Sequence, residues 1–99
     1  MRTTRAQIDA KCRALNLALG RPTEAYTLQA DGHYKANIGN ISVDKNLCGY
    51  SIEQMANSGG GVSQPFGSYR MDAYTCWLVL NAACAAVDLA TRNSIAVAA

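Results

Sequence analysis

Ninety-nine residues fit one domain of ordinary size. Nine basic against seven acidic residues, a net charge of +2, exclude a polyelectrolyte tail and a strongly basic, histone-like protein. Ile, Leu, Val and Phe number only 19 against 17 alanines, so the chain is foldable but has a thin core and closely packed backbones.

The chain opens on a first helix. Thr3 or Thr4 caps it, and Ile8, Cys12, Leu15 and Leu19 step by 4, 3 and 4 along one stripe. Gly20 and Pro22 stop it. Arg2, Arg5, Lys11 and Arg13 lie off the stripe, and residues 1–21 hold five basic groups and one acid. Residues 25–30 then read as a strand. Asp31-Gly32 reads as a type I′ turn, which needs positive φ at both residues, and residues 33–38 are the return strand. Residues 41–44 continue the ribbon. A short second helix is expected from Ser51, because Ser51 and Gln54 have capping-box spacing. A glycine-rich loop, residues 58–67, follows. Ser68 or Asp72 caps a last helix that runs to about Thr91 and is apolar nearly all round, hence expected to be buried on several sides. The tail 93–99 extends that helix or docks on a neighbour. The expected fold class is α+β, one domain over residues 1–99: a helix, a two- or three-stranded antiparallel ribbon, a short helix and a long buried C-terminal helix.

Membrane insertion is not expected. The first ten residues are polar and basic, unlike a secretory signal, and the most apolar run, residues 76–87, is shorter than the roughly 20 residues a span needs. Cys12, Cys48, Cys76 and Cys84 form no metal-ligand spacing and are expected to be free structural thiols, in keeping with an intracellular protein. No metal or cofactor is implied.

The order Ala36-Asn37-Ile38-Gly39-Asn40, Asp44, Gly49-Tyr50-Ser51, Met55, Asn57 and Gly59-Gly60-Gly61-Val62, preceded by Leu19-Gly20-Arg21-Pro22 and Tyr26, resembles a family of small proteins of tailed phages and prophages. The likeness covers about residues 11–70. Cys48-Gly49 stands where the family commonly has two glycines, and Glu53-Gln54 where a His-Arg pair often precedes the Met. The resemblance implies a phage origin and a place in the cytoplasm of an infected bacterium. It implies no activity.

Four chemistries can be weighed on these residues. Gly59, Gly60 and Gly61 would converge their N–H groups on an anion, with a helix N-terminus behind them. In that arrangement Arg70, in the first turn of the last helix, grips a phosphate, Tyr50 and Tyr69 stack on a base, and Gln54 and Asn57 select its edge. The same glycines also serve a tight interhelical connection. Catalysis is not expected, because His33 is the only histidine and no nucleophile or acid stands at a telling distance from it. Nucleic-acid binding through Arg2, Arg5, Lys11, Arg13 and Arg21 is not favoured, with only Gln7 and Asn16 as polar readers. The helix over residues 73–90, with Trp77 and its alanines, is an expected surface for a homo-oligomer. The expected function is therefore non-enzymatic: a phage anti-defence "sponge" that sequesters a small anionic, nucleotide-type immune signal such as a cyclic oligonucleotide. The alternatives are an anti-CRISPR-like inhibitor that binds a host protein, or a weak nucleic-acid-binding accessory protein.

Overall fold

The computed structural model describes residues 2–98, with side-chain surroundings for residues 2–92. The chain is α+β. Its elements are α1 (Arg5–Leu19), β1 (Tyr26–Leu28), β2 (Tyr34–Ala36), β3 (Ile41–Asn46), β4 (Gly49–Met55), β5 (Val62–Ser63) and α2 (Ala73–Ala98). β1 and β2 form one antiparallel pair, and β3, β4 and β5 form a second antiparallel sheet in that order.

Local chemistry accounts for α1. The Thr4 hydroxyl accepts the Gln7 backbone N–H and the Gln7 side-chain oxygen accepts the Thr4 N–H, a complete capping box. Gly20, at φ 69°, closes the other end. Ile8, Cys12 and Leu15 face the core as their spacing requires, but Leu19 is partly exposed. Asn16 takes the fourth inward position: its amide donates to the Ile41 carbonyl at 2.9 Å and its oxygen accepts the Ile41 N–H at 2.8 Å. A helix side chain thus pairs with the first residue of β3 as a neighbouring strand would.

The β1–β2 hairpin differs from the expected turn. Only Gly32 has positive φ, and the bonds Gly32 N–H to Gln29 carbonyl and Gln29 N–H to His33 carbonyl enclose a three-residue loop of the type I plus bulge kind. Asp31 instead accepts the His33 N–H.

The short helix expected at Ser51 is a strand, β4. Its residues Tyr50, Ile52 and Gln54 stand opposite Lys45, Val43 and Ile41 of β3, so one alternating face meets the helices. Ser51 caps nothing; its hydroxyl accepts a bond from Gln64. The hairpin end carries its own turn chemistry. Asn46 accepts the Cys48 N–H, and Gly49, at φ 121°, lets Tyr50 pair with Met71, whose carbonyl would lie 2.6 Å from any Cβ at position 49.

α2 begins at Ala73, not near Ser68. Asp72 is the cap and accepts the Thr75 N–H at 2.7 Å, which holds its carboxyl below the ordinary carboxylate range. The core gathers Ile8, Cys12 and Leu15 of α1, Ile41, Val43, Tyr50 and Ile52 of the sheet, and Cys76 and Leu80 of α2. α1 and α2 run in the same direction. Lys11 lies over Trp77 and the Cys84 thiol meets the Lys11 carbonyl, while Leu15 and Leu19 share a groove with Ala83 and Val87. α2 is not the buried helix its composition suggested, because among the described residues only Cys76 and Leu80 are fully enclosed and Tyr74, Leu78 and Leu89 are exposed.

Candidate functional site

The glycine loop is a β-hairpin connection between β4 and β5, not a link between helices. Ala56 N–H bonds the Gly61 carbonyl at 2.8 Å and closes it. Within it, the Asn57 side-chain oxygen accepts the N–H groups of both Gly59 and Gly61 at 3.0 Å, and the Asn57 carbonyl accepts that of Gly60 at 3.2 Å. The three amides expected to converge on an anion are thus engaged by one asparagine. Asn57 organises the loop instead of selecting a ligand.

Arg70 is elsewhere and engaged. It precedes α2, and its guanidinium bonds the Asp44 carboxylate at 2.7 Å and the carbonyls of Asp44 and Gly49 at 3.2 Å. Seven residues of β4, about 20 Å of strand, separate Gly49 from the glycine loop. Tyr50 is buried, with the cations of Arg5 and Lys45 at 5.9 and 5.5 Å from its ring centroid. Tyr69 is 84% exposed. Gln54 lines an apolar groove of about 310 Å³ with Leu19, Arg21, Phe66 and Val87. The eight residues expected to form one site are not brought together.

The structure assembles a different cleft, of about 200 Å³, at the start of both helices. Arg2, Thr3 and Gln7 line it from the α1 side, Tyr74 and Trp77 from α2. Tyr74 and Trp77, one helical turn apart, hold their rings nearly parallel, 9° between planes and 6.5 Å between centroids. A ring sandwiched between them would need about 7 Å, twice a contact distance of roughly 3.5 Å, so the gap between the two rings is too narrow for a flat ligand. Lys11, one turn beyond Gln7, sets its ammonium 5.4 Å from the Trp77 centroid. The Gln7 oxygen is held by Thr4, which leaves its NH2 group to donate to a ligand. Arg2 makes no ion pair among the described residues. Aromatic rings, a guanidinium and an amide donor suit a planar ring bearing negative charge. The volume is below the roughly 300–1,000 Å³ usual for drug-sized ligands, which limits the enclosed part to one ring system.

Burial pushes the Cys12 thiol up to about 12 and raises that of Cys76, so both are held protonated. Among the described residues no three His, Cys, Asp or Glu side chains gather as a metal site would require. From the sequence, the helix over residues 73–90 read as an assembly surface, and Arg2 and Gln7 as disfavoured nucleic-acid contacts, so the cleft was missed. The parallel packing of α1 against α2, which joins positions some 70 residues apart, has no local signal.

In comparisons with known proteins, the chain matches no family model, no curated protein and no solved structure.

Proposed function

We propose that this protein acts by binding without turnover, holding a small anionic, nucleotide-type ligand against the Tyr74–Trp77 wall. The observation that carries this reading is the convergence of two parallel rings with Arg2, Thr3 and Gln7 around one cleft. Ring stacking on such a wall is worth about 1–3 kcal/mol per base, and it tolerates many ring identities. The phage resemblance read from residues 11–70 would supply the setting: sequestration of a nucleotide immune signal in the cytoplasm of an infected bacterium. The site has moved from the glycine loop to the helix ends, and the chemical class of the ligand has not.

A thermal-shift panel of cyclic di-AMP, cyclic GMP-AMP and ADP-ribose tests this. A ligand at 100 times its dissociation constant adds about 2.7 kcal/mol, which at roughly 4–8 °C per kcal/mol for a domain of this size is a rise of roughly 10–20 °C. A rise with at least one ligand, lost in Arg2→Ala, is expected. No rise with any of them contradicts the reading.

One observation favours the protein-binding alternative. The β1–β2 ribbon forms a sheet of its own and exposes Tyr26, Leu28 and Tyr34. Under that reading, expression of the protein is expected to raise phage plating on a defended host, and Leu28→Ser with Tyr34→Ser, not Arg2→Ala, is expected to abolish that rise.

A further inference from the structure

The groove that Gln54 lines is separate from the cleft at the helix starts. Leu15 and Leu19 of α1, Ala83 and Val87 of α2, and Phe66 make most of it apolar. Two of its residues are out of keeping with that surface. Gln54 belongs to β4, the central strand of its sheet, and shares a face with Tyr50 and Ile52, which are buried in the core. The register therefore puts an amide where an apolar side chain would continue the core, and this side chain makes no hydrogen bond among the described residues. Arg21 follows the α1 cap and is half-buried. Its guanidinium makes one bond, to the Gly39 carbonyl at 3.3 Å, and no ion pair among the described residues. Both groups stand at the same end of the groove, because Arg21 is tied to Gly39 and Gln54 pairs with Ile41, two residues further on.

A guanidinium and an amide with donors to spare match a carboxylate, which accepts two parallel bonds from an arginine. The rest of the lining matches a hydrocarbon body. The volume sets its length. About 310 Å³, at the roughly 30 Å³ that one small group occupies in a liquid, holds about ten non-hydrogen atoms. We propose that the groove binds an unbranched aliphatic monocarboxylate of about eight carbons, its head at Arg21 and Gln54 and its tail between α1 and α2. By length and composition Ala73–Arg92 is apolar enough to cross a membrane, and such a tail covers part of that apolar surface in water. The groove shares no residue with the cleft, so this site and the nucleotide reading can fail separately.

Isothermal titration calorimetry of the full chain tests this, with sodium octanoate as the probe and octanol as its uncharged counterpart. The wild type is expected to bind octanoate saturably at one site, roughly tenfold more tightly than octanol. Hexanoate should bind more weakly, by about fourfold for each methylene removed. Arg21→Gln is expected to bring octanoate down to the affinity of octanol and to leave octanol unchanged, a split that lost packing does not produce. Ala86→Phe puts a large side chain at an exposed position of the lining and is expected to weaken both probes. Far-UV circular dichroism checks that each variant keeps its helix content. No saturable binding of octanoate by the wild type at several millimolar overturns the proposal, and so does undiminished binding by Arg21→Gln. A dimer of the free protein that Ala86→Phe dissolves, without octanoate binding, gives the groove to a second copy and overturns it as well.

Discussion

Asn16 ties helix to sheet with two hydrogen bonds to one residue, and it does so from a buried position. Replacing it by Leu keeps the volume roughly but leaves the buried N–H and carbonyl of Ile41 without partners, at about 1–3 kcal/mol each when unrelieved. Asn16→Leu is therefore expected to lose about 3 kcal/mol in a denaturant titration, and a neutral result would show that β3 is positioned by other contacts. Gly49 is a second such point. At φ 121° and with Met71 carbonyl 2.6 Å from the site of a Cβ, Gly49→Ala meets both strain and backbone. A loss of about 2–3 kcal/mol is expected in the same titration. The buried thiols give a pH signature. The unfolded chain releases cysteine protons near pH 8.5, whereas folded Cys12 holds its own until about 12. Its folded value is raised, so its contribution is fully present below about pH 8.5 and is lost as pH climbs toward 12. The denaturation midpoint should fall between pH 7 and 10.5, and less steeply in Cys12→Ala. An equally steep fall in that variant would assign the effect to other groups. Neither the Asn16 pairing nor the Arg70–Asp44 ion pair was legible in the sequence. Asn16 read as a polar contact to nucleic acid and Arg70 as a grip on a phosphate, because their partners lie 25 and 26 residues away.

Elements set by local chemistry were legible, and those set by distant pairing were not. α1 has its capping box at Thr4 and Gln7 and its stop at Gly20, all within the residues it involves. The β1–β2 hairpin was legible from Asp31-Gly32, although the loop takes one residue more than the expected turn. β4 was misread because Ser51 and Gln54 satisfy a helix-start pattern as well as they satisfy a strand. The six-residue match to β3 decides between them, and no window on β4 alone contains it. α2 misled in a different way. An apolar composition all round suggested burial on several sides, but only one side of this helix meets the domain. Thr4→Ala, which removes the hydroxyl half of the capping box, is expected to cost about 1 kcal/mol in thermal or chemical unfolding. A cost near zero would mean that α1 is held by Asn16 and the core alone.

The whole molecule is looser than its length requires. Its radius of gyration is 14.9 Å, against roughly 13 Å for a close-packed chain of this size. The excess fits a ribbon with a sheet of its own and a 26-residue helix set against a 15-residue one. Such a shape leaves surface for partners at both ends and keeps the cleft where the two helices start together. Trp77 is the only tryptophan, and it lines that cleft, so the protein's intrinsic fluorescence reports on the site directly. Titration of the wild type and of Arg2→Ala with the nucleotide giving the largest thermal shift is the most direct measurement. The account predicts saturable quenching of Trp77 emission in the wild type, and roughly tenfold weaker binding in Arg2→Ala with an unchanged unfolding midpoint, because Arg2 is exposed. Saturable binding that leaves Trp77 emission untouched, or that Arg2→Ala leaves at full strength, would contradict it.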